Sequence, residues 1–137
     1  MKLKTRNLFF ILAAIGGILA LVYGVLMEPS ESMPEQPHLA FIFTCMTSIM
    51  TVVGLIYFLM EKLGRPISEK WGKWHFVITL IAVVCGIICT VTAYDGVENA
   101  EWTNIPGFLS IKLYVLSVAV FLVALAMAIF TKPANGK

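Results

Sequence analysis

Two histidines, three cysteines and one lysine inside an apolar run are the residues of this chain whose types and positions could do chemistry. Histidine is a common ligand of heme and of metal ions. His38 follows Pro37 at the start of one long apolar run, and His75 stands at the start of another. If these runs cross a membrane in turn, the two histidines lie at opposite faces and cannot share a metal or heme within one chain. The competing reading of each is a solvated polar residue at a membrane face. Cys85 and Cys89 are one helical turn apart, a geometry that does not suit a relaxed disulfide. No Cys or His stands near them or near Cys45 at zinc spacing, so small apolar packing accounts for all three. Lys112 sits well inside an apolar run, where a charge is a candidate for function. Snorkelling to the headgroups, or pairing with Asp95, Glu98 or Glu101, is its structural alternative. No acid lies in the middle of a run, as an ion-coupled transporter would want. The chain has no phosphate loop, paired carboxylates or nucleophile with a base.

The elements that must position these residues follow from composition. Of 137 residues, 59% are hydrophobic and 13% charged, about half the charge of a soluble domain. Four runs of about twenty mostly apolar residues, 8–27, 39–60, 76–94 and 108–131, are each long enough to cross a hydrocarbon core. The expectation is all-α: an integral membrane, antiparallel four-helix bundle, with residues 1–137 as a single four-transmembrane-helix domain. The first run also follows Lys2, Lys4 and Arg6, as a signal peptide would, but it is too long for that and no small-x-small cleavage site follows it.

Charge alternates along the chain. Lys2, Lys4 and Arg6 precede the first run, and Lys62, Arg65, Lys70 and Lys73 follow the second. The segments "EPSESMPEQPH" and "DGVENAEWTNIPG" carry three acids each and no Lys or Arg, and Lys132 and Lys137 end the chain. The positive-inside rule then puts both termini and the 61–75 loop in the cytoplasm, in a multi-pass protein of the cell (inner) membrane. Trp71 and Trp74 fall at the inner aromatic belt, Tyr94 and Trp102 at the outer. The basic residues are too few and too tied to topology to bind nucleic acid.

Helices in lipid associate through small residues and a few polar groups. The first run offers Ala13, Gly17, Ala20 and Gly24 on one face, the third Ala82, Gly86, Cys89 and Ala93, and the fourth Ser110, Ser117, Ala124 and Ala128. The second carries Thr44, Thr47, Ser48 and Thr51, which read either as hydroxyls bonded to their own backbone or as the lining of a solute path.

The stretch "GRPISEKWGKWHF" resembles the inner loop between the tenth and eleventh helices of heme–copper oxidase subunit I. That loop runs Gly, eight residues, Lys, one residue, His-Phe, and Gly64, Lys73, His75 and Phe76 have its spacing. Gly16 and Gly17 resemble the family's glycine pair in the ninth helix. Helix 2, with His38 at its start, resembles the tenth. "AYDGVENAEWTN" through "GFLSI" is similar to the stretch entering the twelfth. The likeness thus covers the last four of twelve helices. It implies His38 as a counterpart of the low-spin heme ligand, while Gln36 stands where the family's second heme-ligating histidine would be. The copper-binding helices and the arginines that hold heme propionates have no counterpart here, so the chain does not reduce oxygen by itself.

The leading expectation is therefore a non-catalytic accessory or assembly subunit of a respiratory electron-transfer complex, partnered by lipid and by other membrane subunits or further copies of itself. One alternative is a b-type heme held between two copies by His38. Another is a small transporter or scaffold unrelated to respiration, with a wet cavity along the Thr/Ser stripe.

Overall fold

The structure, a computed structural model, describes residues 3–28, 36–94 and 101–131, with side chains at all of these except 92–94 and 101–108. Every element among them is helical. Helix α1 spans Thr5–Leu21 and runs on through one π turn, Val22–Leu26. It is followed by α2 (Gln36–Lys62), α3 (Glu69–Tyr94) and α4 (Glu101–Phe130). Each is long and apolar enough to cross a membrane. Side chains such as Ile18, Val25, Phe41, Val52, Val115 and Phe130 point outward, as lipid requires and water would penalise.

The helices form two antiparallel hairpins, α1 with α2 and α3 with α4, packed together as a four-helix bundle. The interior holds Phe9, Leu12, Ala13, Phe43, Met46, Met50, Tyr57, Ala124 and Ala128. Of the small residues expected to form seams, Ala13, Ala82, Ser117, Ala124 and Ala128 are buried. Gly17, Ala20, Gly86, Cys89 and Ser110 are half-buried and Gly24 is exposed, while the side chain of Ala93 lies outside the described residues. Gly16, beside the expected Gly17, makes the closest approach: a Cβ there would lie 2.6 Å from Met46 Cε and 3.3 Å from the Phe43 carbonyl oxygen.

Helix α3 begins at Glu69, where the apolar run had suggested Phe76. Hydropathy marks the greasy core of a helix, but Glu69 and Lys70 are good helix formers and polar at headgroup level. The expected 61–75 loop thus shrinks to 63–68. Gly64 turns it with a φ of 74°, a left-handed conformation that glycine adopts without steric cost.

Three helix ends are capped by side chains from elsewhere in the chain. The Glu69 carboxylate accepts from the Thr5 N–H at 3.0 Å and from the Thr5 hydroxyl at 2.7 Å, meeting an otherwise unpaired donor at the start of α1. Arg65 donates to the Ile129 and Thr131 carbonyls at the end of α4. Gln36 Nε2 donates to the carbonyls of Tyr23 (3.0 Å) and Met27 (3.1 Å), closing the π turn. With Lys4 and Arg6 paired to Glu61 at 2.9 and 2.7 Å, the Glu69 and Arg65 contacts gather the start of α1, the 63–68 turn and the end of α4 at one basic end of the bundle.

Candidate functional site

Near the basic end all four helices meet around His75. The early start of α3 places this residue almost two turns inside the helix, on the face shared with Thr79 and Ala82. It is 4% exposed, so the sequence-based reading of a solvated histidine at the helix mouth is corrected. Its Nδ1 lies 3.1 Å from the Tyr57 hydroxyl of α2. Phe9 of α1 and Phe121 of α4 flank the ring, each with centroids 4.8 Å away. Phe76 meets Phe9 edge-on at 5.4 Å.

One turn further along, the Thr79 hydroxyl donates to the His75 carbonyl at 2.7 Å and lies 2.8 Å from Ser117 Oγ on α4. A hydroxyl has one proton, so with Thr79's committed to His75, Ser117 is the donor between the two. The chain Ser117–Thr79–His75 backbone, with the His75 ring tied to Tyr57, crosses three helices. Such an arrangement locks neighbours together. A histidine–tyrosine pair can also pass a proton, but here aromatic rings cover both sides of a buried imidazole.

His38 lies at the other end, about 28 Å of α2 away from Tyr57. It is exposed on the outside of the bundle. Gln36, which stands where the family resemblance would want a second histidine, is 5% exposed and turned inward as the cap of α1. One chain therefore brings no second histidine to His38, and its residues do not fit a heme within the protomer. Among the described residues no group of His, Cys, Asp and Glu is placed to hold a metal ion, and no disulfide joins Cys45, Cys85 and Cys89.

Lys112 is exposed on α4. The side chains of Asp95, Glu98 and Glu101, its suggested partners, lie outside the described residues, as do those of Tyr94 and Trp102. Lys73 is half-buried beside the exposed Trp74.

On α2, Thr44, Ser48 and Thr51 donate to the carbonyls of Ala40, Thr44 and Thr47 at 2.8, 3.0 and 2.7 Å. Only Thr47 leaves its own helix, donating to the Ala13 carbonyl of α1 at 2.6 Å. The cleft between the hairpins, about 350 Å³, is walled instead by apolar side chains such as Phe41, Met46, Val83 and Val115.

Sequence reasoning passed over Gln36 as a capping residue, and took Arg65 as a topology charge. Their position at chain reversals, next to helix ends with unmet carbonyls, was the available signal. The fold and these side chains define a small four-helix membrane protein. Comparison with family models, with curated proteins and with solved structures finds no match.

Proposed function

We propose that this chain is a non-catalytic subunit of a respiratory electron-transfer complex in the inner cell membrane, related in form to the last four helices of heme–copper oxidase subunit I, with its basic end in the cytoplasm. The observation that carries the non-catalytic part is the use made of the buried polar groups. Tyr57 bonds His75 and Ser117 bonds Thr79 between helices, Thr79 bonds the His75 carbonyl within α3, and Thr47 and Ser110 bond the backbone of neighbouring helices. They hold a scaffold together and present nothing to a substrate. The respiratory part rests on the order and spacing of Gly64, Lys73, His75 and Phe76 and their flanks.

A second reading has one observation in its favour. His38 is exposed on the bundle surface, where a two-fold dimer could bring two copies together around one b-type heme.

The test is purification in mild detergent from membranes of its own host, with a reduced-minus-oxidised optical spectrum and mass spectrometry of whatever co-purifies. The expected result is oxidase or other respiratory subunits in the complex, and no heme band that depends on His38. A b-type band lost in His38→Ala would establish the dimeric heme reading instead. Protein that is flat in the spectrum and travels without respiratory subunits would sink both.

A further inference from the structure

Most cations at the basic end have partners. Lys4 and Arg6 pair with Glu61. Arg6 and Lys62 also lie over the Phe58 ring, each 5.4 Å from its centroid. Arg65 holds the carbonyls that end α4. Lys70 and Lys73 differ: neither makes an ion pair or a side-chain hydrogen bond among the described residues. The nearest acid in sequence, Glu69, has its carboxylate turned to Thr5 instead.

Both lysines border clefts on the outer face of the bundle. One is an open hollow of about 640 Å³ along a single face of α3, from Glu69, Lys70 and Lys73 past Trp74 to Val77. The other, about 340 Å³, lies between α3 and α4 and runs from Lys70 and Trp71 past Trp74 to Ile78 and Val120. Trp74, 59% exposed, is a wall of both. Val77 and Ile78 stand about 10 Å further along α3 than Lys70. Each cleft thus has lysine at its mouth, two lysines against the one Glu69 carboxylate in the first and Lys70 alone in the second, with an indole at the level of a membrane interface and an apolar floor leading into the bilayer.

We propose that this face binds an anionic phospholipid. Its phosphodiester is held by Lys70 and Lys73, and its acyl chains run on either side of Trp74, along Val77 and along Ile78 and Val120. These two lysines are singled out because the other described cations of this end have their side chains engaged within the chain, Lys4 and Arg6 by Glu61, Lys62 by Phe58 and Arg65 by the carbonyls that end α4. A zwitterionic lipid would bring its own ammonium against them, and a polar peptide would waste the apolar floors.

The test is quenching of tryptophan fluorescence by lipids brominated in their acyl chains, in a Trp102→Phe background so that only Trp71 and Trp74 report. A lysine near an anionic surface is worth about fivefold in affinity at low salt. Brominated phosphatidylglycerol is therefore expected to bind about twenty-five-fold more tightly than brominated phosphatidylcholine. Lys70→Gln and Lys73→Gln should each lower that preference about fivefold, while Lys70→Arg and Lys62→Gln leave it. Equal binding of the two lipids overturns the proposal. So does a preference that Lys62→Gln erodes as much as Lys70→Gln does, since it would reflect only the diffuse charge of this end. Should the glutamine variants fail to fold, the wild type still decides. A site of this kind loses its preference as salt rises from about 0.05 to 0.5 M, and a preference that stays constant rules it out.

Discussion

The two hairpins are held by different chemistry. In the α1–α2 seam bulky side chains sit over glycines: Met46 and Thr47 over Gly16, and Phe10 over Gly54. In the middle of this seam the Thr47 hydroxyl also donates to the Ala13 carbonyl, and polar contacts close its two ends, Lys4 and Arg6 to Glu61 and Gln36 to the Tyr23 and Met27 carbonyls. In the α3–α4 seam the residues are small and the links are hydroxyls, with Ser117 bonded to Thr79, Ser110 bonded to the Ala82 carbonyl, and Ala124 and Ala128 buried nearby. Lipid is as apolar as leucine, so burial itself drives neither pairing. The first seam relies on close dispersion contacts, each small and many together. Within the membrane span the second relies more on hydroxyl hydrogen bonds, whose alternative in a membrane is a bond to the residue's own backbone. The difference implies that disturbing shape in the first seam costs more than deleting a hydroxyl in the second.

The largest effect should come from Gly16→Ala. The added Cβ would stand 2.6 Å from Met46 Cε, 2.9 Å from Thr47 Oγ1 and 3.3 Å from the Phe43 carbonyl oxygen. Met46 can swing aside, but Thr47 is held by Ala13 and the carbonyl is backbone. A loss of about 2 kcal/mol is expected in reversible unfolding with SDS in mixed micelles. The matching change in the other seam, Gly86→Ala, meets only the Ser110 side chain, its hydroxyl at 3.1 Å, and no backbone. That hydroxyl is held by the Ala82 carbonyl but has only to shift by a few tenths of an ångström, so the cost should be about 1 kcal/mol. Equal costs would erase the distinction between the seams.

Tyr57→Phe comes next, and it tests a contact that joins the hairpins. It removes the hydroxyl 3.1 Å from His75 Nδ1 and leaves a buried ring nitrogen without that partner. A loss of about 1–2 kcal/mol is expected in the same titration. Gly64→Ala should cost about 1 kcal/mol. Nothing lies within 4 Å of the new methyl, so the cost is that of holding a φ of 74° with a side chain.

The spans and their small-residue faces were legible in the sequence because lipid imposes them residue by residue. Twenty apolar residues and a small residue each turn are local facts, and Ala82, Ser117 and Ala124 fell where they pointed. The site was less so. His75 reads as a headgroup residue because Lys73 and Trp74 precede it, and hydropathy cannot see that α3 extends outward to Glu69. Its partner Tyr57 is on another helix, and no pattern within α2 marks that tyrosine as facing inward. The caps fail for the same reason. Glu69, Arg65 and Gln36 serve the ends of helices to which they do not belong, and such pairings exist only once the bundle has formed.

The smallest effect, and the sharpest test of the second seam, is the coupling between Thr79 and Ser117. The Thr79 proton goes to the His75 carbonyl, so Ser117 donates to Thr79. In Thr79→Val the serine loses its acceptor but can turn to the carbonyl one turn back in α4, as serines in membrane helices do. In Ser117→Ala the threonine keeps its bond to His75 and loses only an incoming donor. Neither change leaves a buried donor stranded, so each single loss should be modest. A double-mutant cycle built from the two should return a coupling of about 0.6 kcal/mol, near the average for hydrogen bonds within membrane proteins. A coupling of about 2 kcal/mol or more, comparable to the penalty at Gly16, would mean that the hydroxyl network and not the fit of small residues holds α3 to α4. The polar cluster around His75 would then be the principal clamp of the bundle.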